Sequence, residues 1–245
     1  MTINYVVPCW SGNRRLHDPE YEKNPAYYLE EHLDRLKRFK HSLNQITLVI
    51  NLNPQEPKIY TDFLNQLPAQ IGTAKLVILR RDSNLGMTFG AWSYVYDLYR
   101  DSFDYYLFSE DDYVPNFDDF DKILTDAIGT HTNCGFQSAG PVVRWRGYNL
   151  PIYAIGVIPS SCLEVLKSKY SKLPYAESEK YSDTDLGSCF HAIGQSGFSI
   201  EQLHNYGVGV LHHAGSIGNQ KIGQYGTYGD GPLLFIPVQH ARGLI

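Results

Sequence analysis

The sequence predicts an α/β fold in which helices flank a mainly parallel sheet within a single domain. Apolar, strand-like runs alternate with helical patterns of about ten to fifteen residues through the first half of the chain. Parallel strands are joined by right-handed crossovers that cover both faces of a sheet, so this alternation indicates a parallel arrangement. The length of 245 residues, with 43% apolar and 19% charged residues, fits one globular domain.

Each predicted strand of the first half is a short apolar run bounded by polar or turn-forming residues. These runs cover residues 3–8, 46–50, 75–79 and 105–108. Apolar residues at three- and four-residue spacing predict helices over residues 25–41, 59–67 and about 86–99. Ligands bind outside the carboxyl ends of the strands in such sheets, so the residues that follow each strand are the first candidates for a site.

The second half of the chain has a looser pattern. Short apolar runs at residues 135–138, 152–158 and 208–211, with helical patterns near 161–170 and 183–195, are expected to complete the sheet. Residues 215–231 contain six glycines and few apolar residues, so we expect a mobile loop there, followed by a C-terminal tail.

Composition excludes several classes of partner. The chain has 26 acidic against 21 basic residues, so its net charge of −5 gives no attraction for nucleic acid. It starts without a signal-like segment and contains no run of about eighteen apolar residues, so we expect a cytoplasmic protein without a transmembrane segment. The basic stretch at residues 34–41 leaves peripheral membrane contact open, although a solvated helix face commonly explains such a run. Four widely spaced cysteines are expected to be buried thiols.

Three consecutive carboxylates carry the functional prediction. Glu110, Asp111 and Asp112 directly follow the aromatic strand at residues 105–108, and Pro115 keeps that strand from continuing. Neighbouring carboxylates repel one another by several kcal/mol in a surface-like dielectric, so we expect a divalent cation among them. The alternative is an acidic loop that caps the next helix through Asn116 or Asp118.

Together these motifs resemble those of GT-A fold glycosyltransferases, especially the inverting enzymes of family 2. The resemblance rests on VVPCWS at residues 6–11, on Asn84-Leu85-Gly86 with Ala91, and on residues 110–112 in the place of an Asp-x-Asp signature. It covers roughly residues 3–216. It implies a single GT-A type, Rossmann-like domain over residues 1–245, with a nucleotide-sugar-binding half at about 1–115, an acceptor and catalytic half at about 116–214, and the loop and tail at 215–245.

The resemblance also implies roles for individual residues. Trp10 would stack on the nucleobase, Asp82 or Asn84 would hold the base and ribose, and Glu110 would face the ribose. The other donor-binding residues implied are Pro8, Asn51, Gly86 and Asp111. Asp112 would bind Mn²⁺ or Mg²⁺. A UDP-sugar is the expected donor, but asparagines follow the second strand where the family has acids that read uracil, so the base stays open.

Two further motifs lie in the second half. Asp183 opens a predicted helix, where an N-cap explains it as well as catalysis does. The similarity of residues 181–186 to the Glu-Asp-x-Asp-Leu run of the family implies that Asp183 is the general base, a role that contributes about 10²–10⁴-fold. His212 would complete the metal site, with His213 as the alternative, and a nitrogen ligand favours manganese over calcium.

Lys221 and Trp145 also have expected roles. Lys221 would close over the diphosphate with the glycine-rich loop. Trp145, between Arg144 and Arg146, is expected either to contact the acceptor or simply to pack. The sequence thus predicts metal-dependent, inverting transfer of a sugar to a hydroxyl group of a glycan or other acceptor. The alternatives are a sugar-phosphate nucleotidyltransferase and a non-catalytic carbohydrate-binding module, for which 19 tyrosines and 3 tryptophans supply stacking faces.

Overall fold

The computed structural model of the protein describes residues 1–12, 18–145, 147–174, 183–212, 224–229 and 231–243. Within these ranges, the side chains of residues 145, 148, 183–188, 210–212 and 224–226 are not described. The predicted site residues Lys221, His213 and Arg146 lie outside the described residues.

Eight strands of the described residues form one large sheet. In chain order they are β1 (Ile3–Cys9), β2 (Gln45–Ile50), β3 (Gln70–Ile71), β4 (Ala74–Arg80), β5 (Tyr105–Phe108), β7 (Cys134–Ser138), β10 (Gly156–Pro159) and β11 (Ser199–Gln202). Their spatial order is β11-β7-β10-β5-β1-β2-β4-β3. The strands β5, β1, β2 and β4 run parallel, whereas β10 is antiparallel to both of its neighbours. The α/β prediction with a mainly parallel sheet is confirmed.

The helices and the remaining strands cover this sheet and extend it. The helices are α1 (Pro19–Lys23), α2 (Tyr27–Arg38), α3 (Lys58–Leu64), α4 (Met87–Tyr99), α5 (Phe120–Ile128), α6 (Ser160–Tyr170), α7 (Asp183–Gln195) and α8 (Val238–Ala241). The remaining strands are β6 (Tyr113–Pro115), β8 (Val142–Trp145), β9 (Tyr148–Pro151), β12 (Gly207–His212), β13 (Gln224–Tyr228) and β14 (Leu233–Pro237). No described helix combines the length and the apolar character needed to cross a membrane.

The central strands are apolar along their whole length because both faces of the sheet are covered. On β1, Tyr5 and Val7 join a core with α2, α3 and α5, whereas Val6 joins a separate core with α4, α6 and α7. Successive side chains of a strand point to opposite faces, so one continuous apolar run supplies both cores. Because β5, β1, β2 and β4 run parallel, their carboxyl ends lie at the same edge of the sheet, where the chain turns into loops.

The prediction of a mobile loop followed by a tail is wrong for the residues that the structure describes at the C-terminus. Residues 224–228 form β13, which pairs antiparallel with β12, and β14 lies between β12 and β6 in a second sheet with the order β13-β12-β14-β6. The glycine content of this segment hid its tyrosines and threonine, which favour strands. The apolar run LLFIP of β14 is buried at four of its five residues, as a central strand requires.

A neutral histidine is buried under the sheet. His32 in α2 is fully buried, and its Nε2 lies 2.7 Å from the Tyr5 hydroxyl oxygen. Burial lowers the pKa of His32 from 6.5 to about 4, although the nearby Asp111 carboxylate acts to raise it. The imidazole therefore stays uncharged in the folded protein at neutral pH, where its hydrogen bond to Tyr5 joins α2 to β1.

We predict that His32 makes the protein less stable as pH falls. The unfolded chain protonates this ring below about pH 6.5, whereas the folded protein does so only near pH 4, so unfolding is favoured throughout that window. Between pH 7.5 and pH 5.0 the free energy of unfolding should fall by about 2 kcal/mol through this residue alone. Urea unfolding at the two pH values measures it.

The matched variant is His32→Gln, which can still accept a hydrogen bond from Tyr5 but does not titrate. Between pH 7.5 and pH 5.0, the free energy of unfolding of this variant should fall by about 2 kcal/mol less than that of the wild type. Equal losses in the two proteins would show that His32 does not carry the effect.

Candidate active site

The candidate site lies where the strand order of the large sheet reverses. From β1 the chain proceeds outward on one side through β2 and β4, and then returns to place β5 on the other side of β1. β5 pairs with β1 only as far as Val6, opposite Phe108, whereas β2 pairs with β1 through Cys9. Buried Pro8 borders the resulting crevice, where the missing N–H group of a proline leaves no ladder bond broken. Such switch points are the usual ligand sites of open α/β sheets.

The three predicted acids form the link between the two sheets. The backbone N–H of Ser109 still donates to the Val6 carbonyl, and β6 of the second sheet begins at Tyr113. The backbone carbonyl of Asp112 accepts from the Val238 N–H at 2.9 Å. The acidic turn is therefore fixed at both ends, and the prediction that the acids follow a strand end is confirmed.

The capping alternative for these acids is not what the structure shows. The N-cap of α5 is Asp119, and its side chain makes no capping hydrogen bond. Asn116 instead accepts from Arg35 Nη1 at 2.8 Å, and Asp118 accepts from the Lys40 N–H at 2.8 Å. Both polar side chains therefore tie α5 to the end of α2 and do not cap a helix.

The three carboxylates differ in their exposure to solvent and in their partners. Asp111 is only 7% exposed, and its Oδ2 accepts a hydrogen bond from the Trp10 backbone N–H at 3.0 Å across the switch point. Glu110 and Asp112 are partly exposed. Both carboxylates act to raise the pKa of the Tyr153 hydroxyl, which burial raises most. The charges of Glu110 and Asp112 therefore both act on Tyr153, a residue that gave no motif signal in the sequence.

Trp10 is held from both sides of its backbone. Its N–H donates to Asp111, and its carbonyl lies 2.8 Å from the Tyr21 hydroxyl, which is also 2.9 Å from the Gly12 carbonyl. The indole covers Gly12 so closely that a Cβ there would come within 2.4 Å of the ring. A larger residue at position 12 would therefore displace the partly exposed indole from the position it has here.

Asp18 organises the polar network behind Trp10. Its carboxylate caps α1 through the Glu20 and Tyr21 N–H groups and accepts from the Tyr27 and Tyr28 hydroxyls at 2.6 and 2.8 Å. Burial acts to raise the pKa of Asp18, but these hydrogen bonds outweigh it and hold the pKa below its usual range. Sequence analysis did not single out Asp18, because its partners come from three different segments of the chain.

The predicted base-contacting residue Asn51 is engaged inside the protein. It is 4% exposed, and its Oδ1 accepts from Arg81 Nη1 at 2.6 Å. The same guanidinium donates through Nη2 to the Leu85 carbonyl at 2.9 Å. Arg81, which follows β4, thus connects the end of β2 to the loop before α4.

The Asn84-Leu85-Gly86 element leads directly into α4, as predicted. Gly86 has φ 69°, in the left-handed region that favours glycine, and Met87 follows with φ 43°. The Asn84 carbonyl accepts from the Met87 N–H at 3.0 Å, and Asn84 is partly exposed. Asp82 is exposed at the end of β4. The structure therefore brings Asp82 and Asn84 to the carboxyl edge of the sheet that also carries the acids.

The backbones of Asp183 and His212 also lie toward this edge. Three residues separate α7 from β11 and the two elements pack together, so α7 runs back along the sheet and begins at the carboxyl edge with Asp183. β12 is parallel to β14, whose last residue Pro237 pairs with Tyr113 beside the acidic turn. His212 ends β12 at that same end of the second sheet, two strands or about 10 Å away from β6. Both side chains lie outside the described atoms.

The described residues fit a cation only in part. Within the described ranges no three His, Cys, Asp or Glu side chains are grouped to hold a metal ion. Glu110 and Asp112 are partly exposed and carry hard oxygen donors, and Mg²⁺ sites commonly use one or two carboxylates with phosphate oxygens of the substrate.

Comparisons with known proteins bear on the fold. No family model and no curated protein matches the chain. A putative glucose-1-phosphate thymidylyltransferase from Bacillus anthracis superposes with a TM-score of 0.55 at 13% identity, over 99% of this chain and 95% of that one. A cytidylyltransferase from Leptospira borgpetersenii serovar Hardjo-bovis gives 0.52 at 15% identity, over 84% of this chain and 76% of that one.

TarS from S. aureus, a GT-A glycosyltransferase, gives a TM-score of 0.51 at 15% identity over 83% of this chain. The chain spans 35% of the length of TarS. At these identities the comparisons concern the fold alone. The chain therefore has a GT-A-like α/β fold, shared with TarS and with the two nucleotidyltransferases.

Proposed function

We propose that this chain is a metal-dependent, inverting glycosyltransferase similar to those of family 2. It would move a sugar from a nucleotide-sugar, with UDP as the expected nucleotide, to a hydroxyl group of a glycan or other acceptor. The observation that carries the proposal is the arrangement of the acidic turn at the switch point: Asp111 is buried and bonded to the Trp10 N–H, while Glu110 and Asp112 are partly exposed.

The donor would lie across the ends of β1, β4 and β5. Trp10 offers a partly exposed aromatic side chain, and Asp82 and Asn84 offer hydrogen-bonding groups for the base and ribose. Asn51 and Arg81 support the loop that carries Asn84 from inside the protein. Arg81 donates both to Asn51 and to the Leu85 carbonyl of that loop. Glu110 would contact the ribose and Asp112 the cation.

The cation, Mn²⁺ or Mg²⁺, would neutralise the negative charge that develops on the departing diphosphate. Asp112 would hold it, with His212 as a second ligand from the end of β12. The acidic turn is tied to both sheets by backbone hydrogen bonds, so Asp112 would be positioned before the substrate arrives.

Asp183 would act as the general base. The acceptor hydroxyl transfers its proton to the Asp183 carboxylate while the hydroxyl oxygen bonds to the anomeric carbon. The bond from that carbon to the diphosphate oxygen breaks on the opposite side, so the anomeric configuration inverts. The position of Asp183 at the start of α7, at the carboxyl edge of the sheet, supports this role.

Two observations bear on the alternatives. Nucleotidyltransferases of this fold class use a glycine-rich loop after the first strand to receive phosphates, but here the Trp10 N–H is already bonded to Asp111. A carbohydrate-binding module has no need for a buried carboxylate and two partly exposed ones at a topological switch point. Release of nucleoside diphosphate and not pyrophosphate would separate the two enzyme classes.

We predict that Asp112→Asn weakens manganese-dependent binding of UDP at least tenfold, because the variant loses an anionic ligand of the cation. Isothermal titration calorimetry with UDP, in manganese and again in chelator, measures this loss. The matched control is Asp126→Asn, which removes the same charge from an exposed residue of α5 paired with Lys122. Equal affinity in all three proteins would refute the metal site.

We predict that Asp183→Asn binds the donor as tightly as the wild type but transfers sugar at least about 10²-fold more slowly, because only the proton acceptor is lost. Donor binding is measured by calorimetry, and transfer by nucleoside diphosphate release across a panel of nucleotide-sugars and hydroxyl acceptors with manganese. Near-normal turnover in this variant would remove Asp183 from the mechanism.

A further inference from the structure

A second cavity lies away from the acidic turn. Its volume is about 310 Å³, and its walls come from the β8–β9 hairpin, the last turns of α7 and the start of β11. The hairpin is tied to β11 by hydrogen bonds from Asn149 Nδ2 to the Ile200 carbonyl at 3.3 Å and from the Val142 N–H to Gln202 Oε1 at 2.9 Å. The cavity is therefore framed by secondary structure and is large enough for a small molecule.

The lining of this cavity favours an anion. Arg144 and His191 contribute to it, and none of the described residues that line it is acidic. Arg144 is exposed and, within the described residues, its side chain has neither an ion pair nor a hydrogen bond. Lys169 donates to the Gln195 backbone carbonyl at 2.8 Å, which offsets the negative end of the α7 dipole beside the cavity. An unpaired guanidinium is the usual partner of a carboxylate or phosphate group.

The remaining lining groups suit a sugar ring. Phe198 gives a partly exposed aromatic wall, and buried Phe190 lies beneath. The amide side chains of Asn149 and Gln195 can both donate and accept hydrogen bonds, as hydroxyl groups require. Asn149 lies directly opposite Arg144 in the hairpin, so an amide and a cation share one face of it.

The cavity is separate from the proposed transfer site. His191 and Asp183 belong to the same helix and are eight positions apart, a rise of about 12 Å along its axis. The cavity lies toward the last turn of that helix, whereas Asp183 begins it at the carboxyl edge of the sheet. A ligand in the cavity would not occupy the nucleotide crevice.

We propose that this cavity binds an anionic sugar unit, one that carries a carboxylate or a phosphate group. Arg144 binds the acidic group, His191 lies beside it, and the Phe198 ring with Asn149 and Gln195 contacts the sugar. The inference is independent of the proposed function, because binding here is measured without nucleotide or metal.

Calorimetry with the full chain, in the absence of metal and nucleotide, tests the site with glucose 6-phosphate, glucuronate, glucose and inorganic phosphate. Glucose 6-phosphate or glucuronate should bind at least tenfold more tightly than glucose and than inorganic phosphate. The acidic sugar that binds more tightly identifies the acidic group that the cavity accepts. Absence of saturable binding by both acidic sugars would overturn the proposal, as would equally tight binding of glucose or of inorganic phosphate.

Two variants test the location by independent means. Arg144→Gln removes the charge, and Gly194→Leu fills the cavity, since a Cβ at Gly194 meets no atom within 4 Å. Each should weaken binding of the acidic sugar at least tenfold. The matched control, Arg38→Gln, removes an equal charge from an exposed position of α2 and should bind as the wild type does.

Circular dichroism and thermal unfolding confirm that each of these variants is folded before its affinity is compared. Unchanged affinity in both Arg144→Gln and Gly194→Leu would place the anion elsewhere on the protein and reject this cavity as the site.

Discussion

The hydrogen bond from the Trp10 N–H to the Asp111 carboxylate is the contact on which the candidate site depends. It joins residues 101 positions apart, at the two strand ends that border the switch point. A buried carboxylate without a donor would be costly, and a bond to a charged acceptor contributes about 1.5–3 kcal/mol. This bond goes with the burial of Asp111, whereas Glu110 and Asp112, its neighbours in the chain, are partly exposed.

A polar network connects Trp10 to residues near both the N-terminus and the C-terminus of the chain. Tyr21 holds the Trp10 carbonyl, and Asp18 fixes the helix that carries Tyr21. Gln239 of the C-terminal helix donates to the same Asp18 carboxylate at 3.1 Å and also to the Tyr28 hydroxyl. β14 and α8 thereby hold the acidic turn, because Pro237 pairs with Tyr113 and the Val238 N–H donates to the Asp112 carbonyl. Through Gln239, α8 also holds the Asp18 network next to Trp10. Pre-organisation of this kind is what a site for a multiply charged ligand requires.

Sequence patterns predicted the strands and helices that build the large sheet, because an apolar run buried on both faces is a local signal. They also predicted that the acids follow β5, because the change from aromatic to acidic residues and then Pro115 mark the end of that strand. The direction of each carboxylate, however, depends on partners distant in sequence, so the inward turn of Asp111 could not be predicted. For the same reason the Asn51–Arg81 bond was missed. β13 was taken for a loop because the glycines in this segment outweighed its tyrosines and threonine.

Helix α7 connects the two proposed sites of the molecule. Its first residue is the proposed base, and its last turns line the cavity that contains Arg144. Phe190 of this helix packs against Phe89 and Phe136, so α7 is fixed to α4 and to the large sheet by aromatic contacts. A helix anchored in this way holds its two ends at a constant separation. The proposed base and the cavity therefore lie toward opposite ends of one anchored helix, and the rise along its axis from Asp183 to His191 is about 12 Å.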